Sequence, residues 1–290
     1  MRCIVCNKTK FKLIWNDKLR SSSTSFTKKN EKIYQCINCD LVFLHKRRKI
    51  LENSSIARNI YNKNNSIKEF LKFHTPREIK KLNFIKKKIN LKNKKVLESN
   101  CGAGILISKI KKNAKITAGI DNTFYKKFVE KNGHLFFNST KDVLKKKMYF
   151  DIILSFSELE HKYNPVNFLK NLKLILSKNG KIILRIPNYF NIYMFLLGYN
   201  FLKYDFRTSH NFYFSKKNLD ILFKNLGFKI VYSSGMNEYS FNHLLNYIKL
   251  KKRVRNTKIH KFLEQSDDNY AVQNLEKNWA STSLIYILKN

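Results

Sequence analysis

The chain has 290 residues, of which 43% are hydrophobic and 14% aromatic. That is enough apolar material for one substantial core with a small module attached, and too much for wholesale disorder. A formal charge of +38, from 58 Lys and Arg against 20 Asp and Glu, draws anionic partners, while the absence of any run of about eighteen apolar residues argues against a transmembrane helix.

The charge has a compositional side. Ten of the cations are Arg and 48 are Lys, scattered as in Lys80-Lys81, Lys86 to Lys88 and Lys145 to Lys147 among many Asn and Ile. Phosphate-reading surfaces lean on Arg forks as well as Lys, so this pattern fits an AT-rich genome better than a dedicated nucleic-acid surface. A small anionic substrate is expected ahead of nucleic acid as partner, and the oligomeric state stays open. The opening residues Met1 to Lys12 lack the apolar stretch of a secretory leader, so the expected compartment is the cytoplasm.

In chain order, the first signal is cysteine. Cys3-x-x-Cys6, a gap, then Cys36-x-x-Cys39 supply four soft ligands on two tight turns, which matches a structural, tetrahedral zinc with no open position. Free buried thiols and a redox pair are the competing readings. Two independent pairs speak against the first, and the lack of a thioredoxin-like context speaks against the second. Residues 1–45 are therefore expected to form a zinc ribbon, with the polar stretch Arg20 to Thr27 as a hairpin tip or excursion. Residues 46–90 read as a helical bridge, with Ile79, Leu82, Phe84, Ile85 and Ile89 at helical spacing; Pro76 marks a helix start with Thr75 as its cap.

From Lys94 on, strands and helices alternate. Strands are predicted at 95–98, 116–121, 150–156, 181–186, 228–233 and 283–288. Helices are predicted at 105–113, 124–131, 165–176 and 219–226, and Asn179-Gly180 reads as a turn. This alternation implies an α/β fold over 91–290: a mostly parallel sheet with helices on both faces.

Two observations locate a ligand. Two of the chain's eight glycines, Gly102 and Gly104, fall in a strand-to-helix turn. A turn without Cβ atoms lets a ligand approach the backbone. The next strand ends in Asp121, where a carboxylate can accept hydrogen bonds from a ribose diol. An ordinary turn and a helix cap are the alternatives for each feature alone; together, one βα unit apart, they favour a nucleoside ligand. The third glycine of a dinucleotide fingerprint is missing, since position 107 is Ile.

The turn Glu98-Ser-Asn100-Cys101-Gly102-Ala-Gly104 resembles the E-x-G-C-G-x-G motif of the class I S-adenosylmethionine-dependent methyltransferases. Further likenesses follow in order: Phe150-Asp151-Ile152-Ile153, Leu159-Glu160-His161 with Pro165, Leu176 to Asn188, and His210 to Ser215. The last of these, with Cys36 to Phe43, is similar to a subgroup carrying an N-terminal cysteine module whose members often methylate sugars, commonly nucleotide-linked ones in cell-surface polysaccharide pathways. The chain departs at Asn100 and Asn179, where that family usually has Gly; Asn tolerates a left-handed backbone.

The resemblance implies a Rossmann-like, seven-stranded sheet with S-adenosylmethionine as cofactor. Glu98, Asn100, Cys101, Gly102 and Gly104 would face its methionine part, Asp121 its ribose, Asn138 to Thr140 its adenine, and Phe156 and Ser157 to Glu158 its other side. It implies methyl transfer to a small anionic acceptor such as a sugar nucleotide, with O-methylation ahead of C-methylation because the C-terminal domain of the C-methylating members does not fit in the length. An RNA methyltransferase and a non-catalytic binding protein on the same fold remain alternatives.

An acceptor hydroxyl needs a general base. His161 and His210 are the candidates by titration range, each against a structural role, with Glu158 and Tyr213 behind them. The aromatic stretch 189–209, with Tyr193, Phe195, Tyr199 and Tyr204, reads as a core helix or subunit surface, an acceptor wall, or a membrane-surface segment. Lys249 to Arg255 reads as a solvated face or a phosphate patch.

Overall fold

A computed structural model describes residues 1–22, 25–49, 67–122, 125–237 and 269–290. The basic stretch Lys249 to Arg255, most of the first half of the helical bridge, and Phe124 lie outside the described residues. The chain divides into two compact units, one of residues 1–48 with 185–286, the other of residues 49–184 with 287–290.

The strands in chain order are β1 Phe11–Asp17, β2 Glu31–Cys36, β3 Val42–Leu44, β4 Lys95–Ser99, β5 Ile116–Ile120, β6 Leu135–Phe137, β7 Phe150–Phe156, β8 Leu176–Pro187, β9 Phe212–Tyr213, β10 Lys229–Met236 and β11 Ser283–Lys289. The described helices are α1 Ile67–Lys88, α2 Ile105–Ile110, α3 Lys126–Lys131, α4 Thr140–Lys145, α5 Pro165–Leu174, α6 Ile192–Leu197, α7 Tyr199–Asp205, α8 Lys216–Asn225 and α9 Asn269–Lys277. A seven-stranded sheet has the order β10-β11-β8-β7-β4-β5-β6, and a four-stranded one the order β1-β2-β3-β9. In the larger sheet β4 runs parallel to both β5 and β7, and β5 parallel to β6. This is a Rossmann-like α/β arrangement.

The central strands read as near-continuous apolar runs because both faces are covered. Val96 and Leu97 of β4 and Ile153 and Leu154 of β7 have no exposed surface. Asp151 ties strand starts together: one carboxylate oxygen accepts from the Lys95 N–H at 2.8 Å and the other from the Ser177 hydroxyl at 3.2 Å. Helix α5 starts as its sequence dictates, with Pro165 in the first turn and the Asn164 side chain accepting from the Asn167 N–H at 3.0 Å.

Two local expectations are corrected. Pro76 does not open a helix; it lies inside α1, which already begins at Ile67. A proline in a helix interior costs about 3 kcal/mol. The extra turns carry Ile67 and Leu71 onto a core of Ala103, Ile107, Tyr125 and Val129. Burying two aliphatic side chains, at about 1.5–3 kcal/mol each when complete, offsets that cost even at partial burial.

Nor is Asn179-Gly180 a turn between helix and strand: both lie inside β8, which starts at Leu176. A Cβ on Gly180 would stand 2.7 Å from Leu176 Cδ1 and 3.0 Å from the Phe150 carbonyl oxygen. The glycine is there for close approach within a strand.

Candidate functional site

The parallel register brings the carboxyl ends of three strands to one edge. Ser99 of β4 stands opposite Ile120 of β5 and Ser155 of β7. The chain that leaves each strand there carries the residues singled out in the sequence, and this is the edge at which open α/β sheets receive ligands.

After β4 the backbone enters the left-handed region three times in five residues, at Asn100 (φ 60°), Gly102 (φ 55°) and Gly104 (φ 69°). The N–H groups of Asn100 and Cys101 donate to the Ile120 carbonyl at 2.7 and 3.2 Å, so the end of β5 fixes the turn. The Gly102 N–H donates to the Asp121 carboxylate at 2.7 Å. Glu98 and Asp121 are 7% and 4% exposed, two acidic side chains at the ends of neighbouring strands. Such buried carboxylates fit hydrogen-bond donors of a ligand, an amine or a diol, better than they fit an apolar core. The site residues Glu98, Asn100, Cys101, Gly102, Gly104 and Asp121 therefore come together.

Phe156 and Ser157 leave β7 at the same edge. Phe156 is buried, and Ser157 takes φ 52°, a left-handed backbone that a serine adopts only when its surroundings impose it. Glu158 is engaged on both oxygens: the Ser155 hydroxyl donates to one at 2.8 Å and Lys162 Nζ meets the other at 2.8 Å. That engagement gives it a structural role. Asn138 and Ser139 follow β6, and Ser139 caps α4 by accepting from the Asp142 N–H at 3.3 Å.

Two residues beside this site had no signal in the sequence. Gly119 lies in β5, and a Cβ there would sit inside the van der Waals shell of Cys101 Sγ and 3.0 Å from Cys101 Cβ. Lys81 of α1 holds its ammonium 5.3 Å from the centre of the Phe156 ring while paired with Glu78 at 2.8 Å. Both depend on contacts between elements distant in the chain.

His161 closes a one-turn 3-10 helix, Leu159–His161, with Nε2 3.8 Å from the buried carboxylate of Glu160. His210 belongs to the other compact unit. It is 5% exposed, and its ring lies 5.5 Å from that of Tyr213. Tyr213 accepts from the Arg207 N–H at 2.8 Å and donates to the Arg207 carbonyl at 3.2 Å, so its hydroxyl is already committed to the loop. Burial pushes that hydroxyl well above the usual phenol range, with nearby Arg207 and Arg20 pulling the other way.

In the same unit the four cysteine sulfurs of Cys3, Cys6, Cys36 and Cys39 lie within 4.8 Å of one another. The Cys3–Cys39 and Cys6–Cys36 separations are each 3.5 Å. A tetrahedral ion with bonds of about 2.3 Å needs sulfurs about 3.8 Å apart, so the donor set fits a metal. The two turns are built alike. The residue after each pair, Asn7 (φ 58°) and Asp40 (φ 61°), is left-handed. Each donates its N–H to the carbonyl of the first cysteine, Cys3 or Cys36, at 2.9 Å. Hydrogen bonding from Cys39 holds the Cys3 thiol below the ordinary range, whereas the bond to Cys3 and then burial push Cys39 up, and burial raises Cys6. Metal binding needs all four as thiolates, so an ion held here would displace the protons of the thiols still protonated.

Residues 69–233 match a family profile described as a methyltransferase domain. Over 110 residues the chain is 32% identical to the ubiquinone biosynthesis O-methyltransferase of Coxiella burnetii, an alignment that covers 35% of this chain and 47% of that protein. The chain thus spans about half the length of the curated relatives it matches. Among solved structures, a chain of the Haloferax volcanii complex between the Trm112 methyltransferase activator and its methyltransferase superposes with a TM-score of 0.50 at 10% identity, covering 75% of this chain and 92% of that one. A SAM-dependent methyltransferase from Archaeoglobus fulgidus gives 0.49 at 18% identity, covering 76% and 99%. The first of these likenesses is one of fold.

Proposed function

The chain belongs to the methyltransferase domain family, and from that membership we propose that it transfers a methyl group from S-adenosylmethionine to a small anionic acceptor, a sugar nucleotide or related glycan precursor, on oxygen ahead of carbon. The observation that carries this reading is the Gly102–Asp121 bond across the glycine turn, with Glu98 buried beside it. The names of the curated relatives, O-methyltransferases, support oxygen as the accepting atom.

When bound, the cofactor supplies an electrophilic methyl group on a sulfonium sulfur. The chain's own residues hold and orient. Glu98 accepts from the amino end of the methionine part, Asp121 from the ribose, and the bare backbone of Gly102 and Gly104 allows close approach. Phe156 and Ser157 line the other side. His210, with His161 as the second candidate, takes the proton that the acceptor hydroxyl gives up when its oxygen bonds to carbon.

Cys3, Cys6, Cys36 and Cys39 hold a structural zinc in this reading, within a module of residues 1–45. Elemental analysis of the purified chain is expected to give one zinc per molecule, and Cys36→Ser with Cys39→Ser to give none. A metal-free wild type would overturn the assignment.

The test of the function is a labelled-methyl screen of nucleotide sugars and RNA. Label in a nucleotide sugar, lost in His210→Ala with cofactor affinity kept, is the expected result. No binding of S-adenosylhomocysteine by calorimetry would leave the non-catalytic reading in its place. The +38 charge supports a second reading, RNA as acceptor. Label in RNA alone would establish it.

A further inference from the structure

The cysteine module and the His210 segment share their framework. Strand β3 pairs antiparallel with β9, Val42 opposite Tyr213 and Phe43 opposite Phe212. The Leu44 N–H donates to the Asn211 carbonyl at 3.0 Å. Asn211 has no exposed surface, and its side chain closes on Arg48 from both sides: Oδ1 accepts from the Arg48 N–H at 2.8 Å, and Nδ2 donates to the Arg48 carbonyl at 2.8 Å. At the other end of the segment the Arg20 N–H donates to the Phe206 carbonyl at 3.2 Å and its carbonyl accepts from the Thr208 N–H at 3.0 Å. Residues 206–213, with His210 among them, are therefore held at both ends by backbone of the first 48 residues.

The cysteine turns reach this framework directly. Cys36 ends β2, and the second turn, Cys36 to Cys39, feeds through Asp40 and Leu41 into β3. Both turns are also tied to α8: Lys217 Nζ pairs with the Asp40 carboxylate at 2.8 Å, and Asn225 Nδ2 donates to the Val5 carbonyl at 2.8 Å. The apolar core of the module is not its own. Trp15, Leu19, Ile33, Val42 and Leu44 form one cluster with Tyr189, Phe206 and Tyr213. A module this small without a private core depends on its metal for a fixed shape.

We propose that the metal held by Cys3, Cys6, Cys36 and Cys39 orders residues 206–213 through β3, with Asn211 as the positioning residue that transmits this order to His210. The ordering itself needs only the cysteine cluster; its consequence for the acceptor rests on the reading of His210 given above. Metal loading then sets acceptor binding while leaving the glycine turn and Asp121 as they are.

Hydrogen exchange on the full chain, read by mass spectrometry, tests it. After zinc is stripped by a chelator, amides of 206–213 are expected to exchange at least about tenfold faster, those of 96–106 and 117–121 to change less than about twofold, and added zinc to restore the first set. Asn211→Ala is expected to speed exchange in 206–213 while the chain keeps its zinc. Asn211→Asp, which retains the acceptor for the Arg48 N–H, is expected to recover part of that protection. Unchanged protection of 206–213 on zinc removal would overturn the proposal, because the shared core alone would then order the segment. A rise spread evenly over the chain would overturn it too, since the metal would then serve global stability. A failure of the methyl-transfer reading shows elsewhere, as absent S-adenosylhomocysteine binding by the zinc-loaded chain, and leaves the exchange result standing.

Discussion

At the residue scale the cofactor edge rests on single atoms. The Asp121 carboxylate holds the Gly102 N–H, and in the proposed function it would also accept from a ribose, so its loss would act twice. A hydrogen bond to a charged group contributes about 1.5–3 kcal/mol, and Asp121→Ala is expected to weaken S-adenosylhomocysteine binding by about 10- to 100-fold in calorimetry. Asp121→Asn, which keeps an acceptor, is expected to lose less; equal affinities of wild type and Asp121→Ala would remove the ribose assignment. Gly119→Ala places a methyl group against Cys101 Sγ, an overpacking of about 1–3 kcal/mol that lowers Tm by roughly 2–6 °C. Cys101→Ala in that background is expected to recover part of the loss; no recovery would mean the clash lies elsewhere.

His134 gives a pH dependence. It is 4% exposed, between the Thr117 hydroxyl at 2.7 Å on Nδ1 and the Ser108 hydroxyl at 2.9 Å on Nε2. Burial, then the charge of Lys111, hold its pKa below the ordinary 6.5. The unfolded chain therefore binds a proton at this residue before the folded chain does. The contribution of neutral His134 to stability is complete above pH 6.5 and declines as pH falls toward the lowered folded value. Thermal melts from pH 7 to pH 5 are expected to fall less steeply for His134→Gln than for wild type. Parallel curves would assign the acid sensitivity to other groups.

At the element scale, Pro76 is exposed within α1, so it meets no packing need that its helix cost would serve. Pro76→Ala is expected to stabilise the chain by about 1–3 kcal/mol, read as a higher denaturant midpoint. An unchanged midpoint would mean that α1 already bends to accommodate the ring.

The sequence marked this stretch as helical with a start at Pro76 and an apolar face from Ile79 to Ile89; Leu82, Ile85 and Ile89 are buried as that period requires, whereas Ile79 is 47% exposed. Its first turns are held by Ile67 and Leu71 against residues far away in the chain, which no local pattern records. Strands β4, β5 and β7 were legible because two covered faces give each a short apolar run, Val96-Leu97, Ala118 to Ile120 and Ile152 to Leu154. Strand β6, three residues with Leu135 42% exposed, has neither a run nor an alternation to read. Helix α4, starting at the Ser139 cap, was passed over for its shortness. The cluster of Cys3, Cys6, Cys36 and Cys39 was legible from spacing alone, since each pair shares one turn. The Gly119–Cys101 fit, the Lys81–Phe156 contact and the Asn211 clamp were not, because each is made between elements.

At the scale of the whole molecule, the cationic charge is distributed through the elements, as the Lys-over-Arg composition suggested. Among the described residues no helix is long and apolar enough to cross a membrane. The exposed apolar side chains Phe195, Leu196, Tyr199 and Tyr204 of α6 and α7 stay at the surface, while Tyr193 of the same stretch is buried. A diffuse charge binds polyanions by counterion release and little else. RNA retained at low ionic strength is expected to be released by about 0.2 M salt in a filter-binding assay. Retention above that point, together with label transfer, would favour the RNA reading.

The left-handed residues have a consequence for how such turns are recognised. Asn7, Asp40, Asn93 and Asn100 occupy positive-φ positions in a protein with only eight glycines. Asparagine codons begin with two adenines and glycine codons with two guanines, so a coding sequence rich in A and T favours asparagine wherever a short polar side chain tolerates the same dihedral. What these corners share is the sign of an angle, and a pattern search keyed to glycine would pass over them.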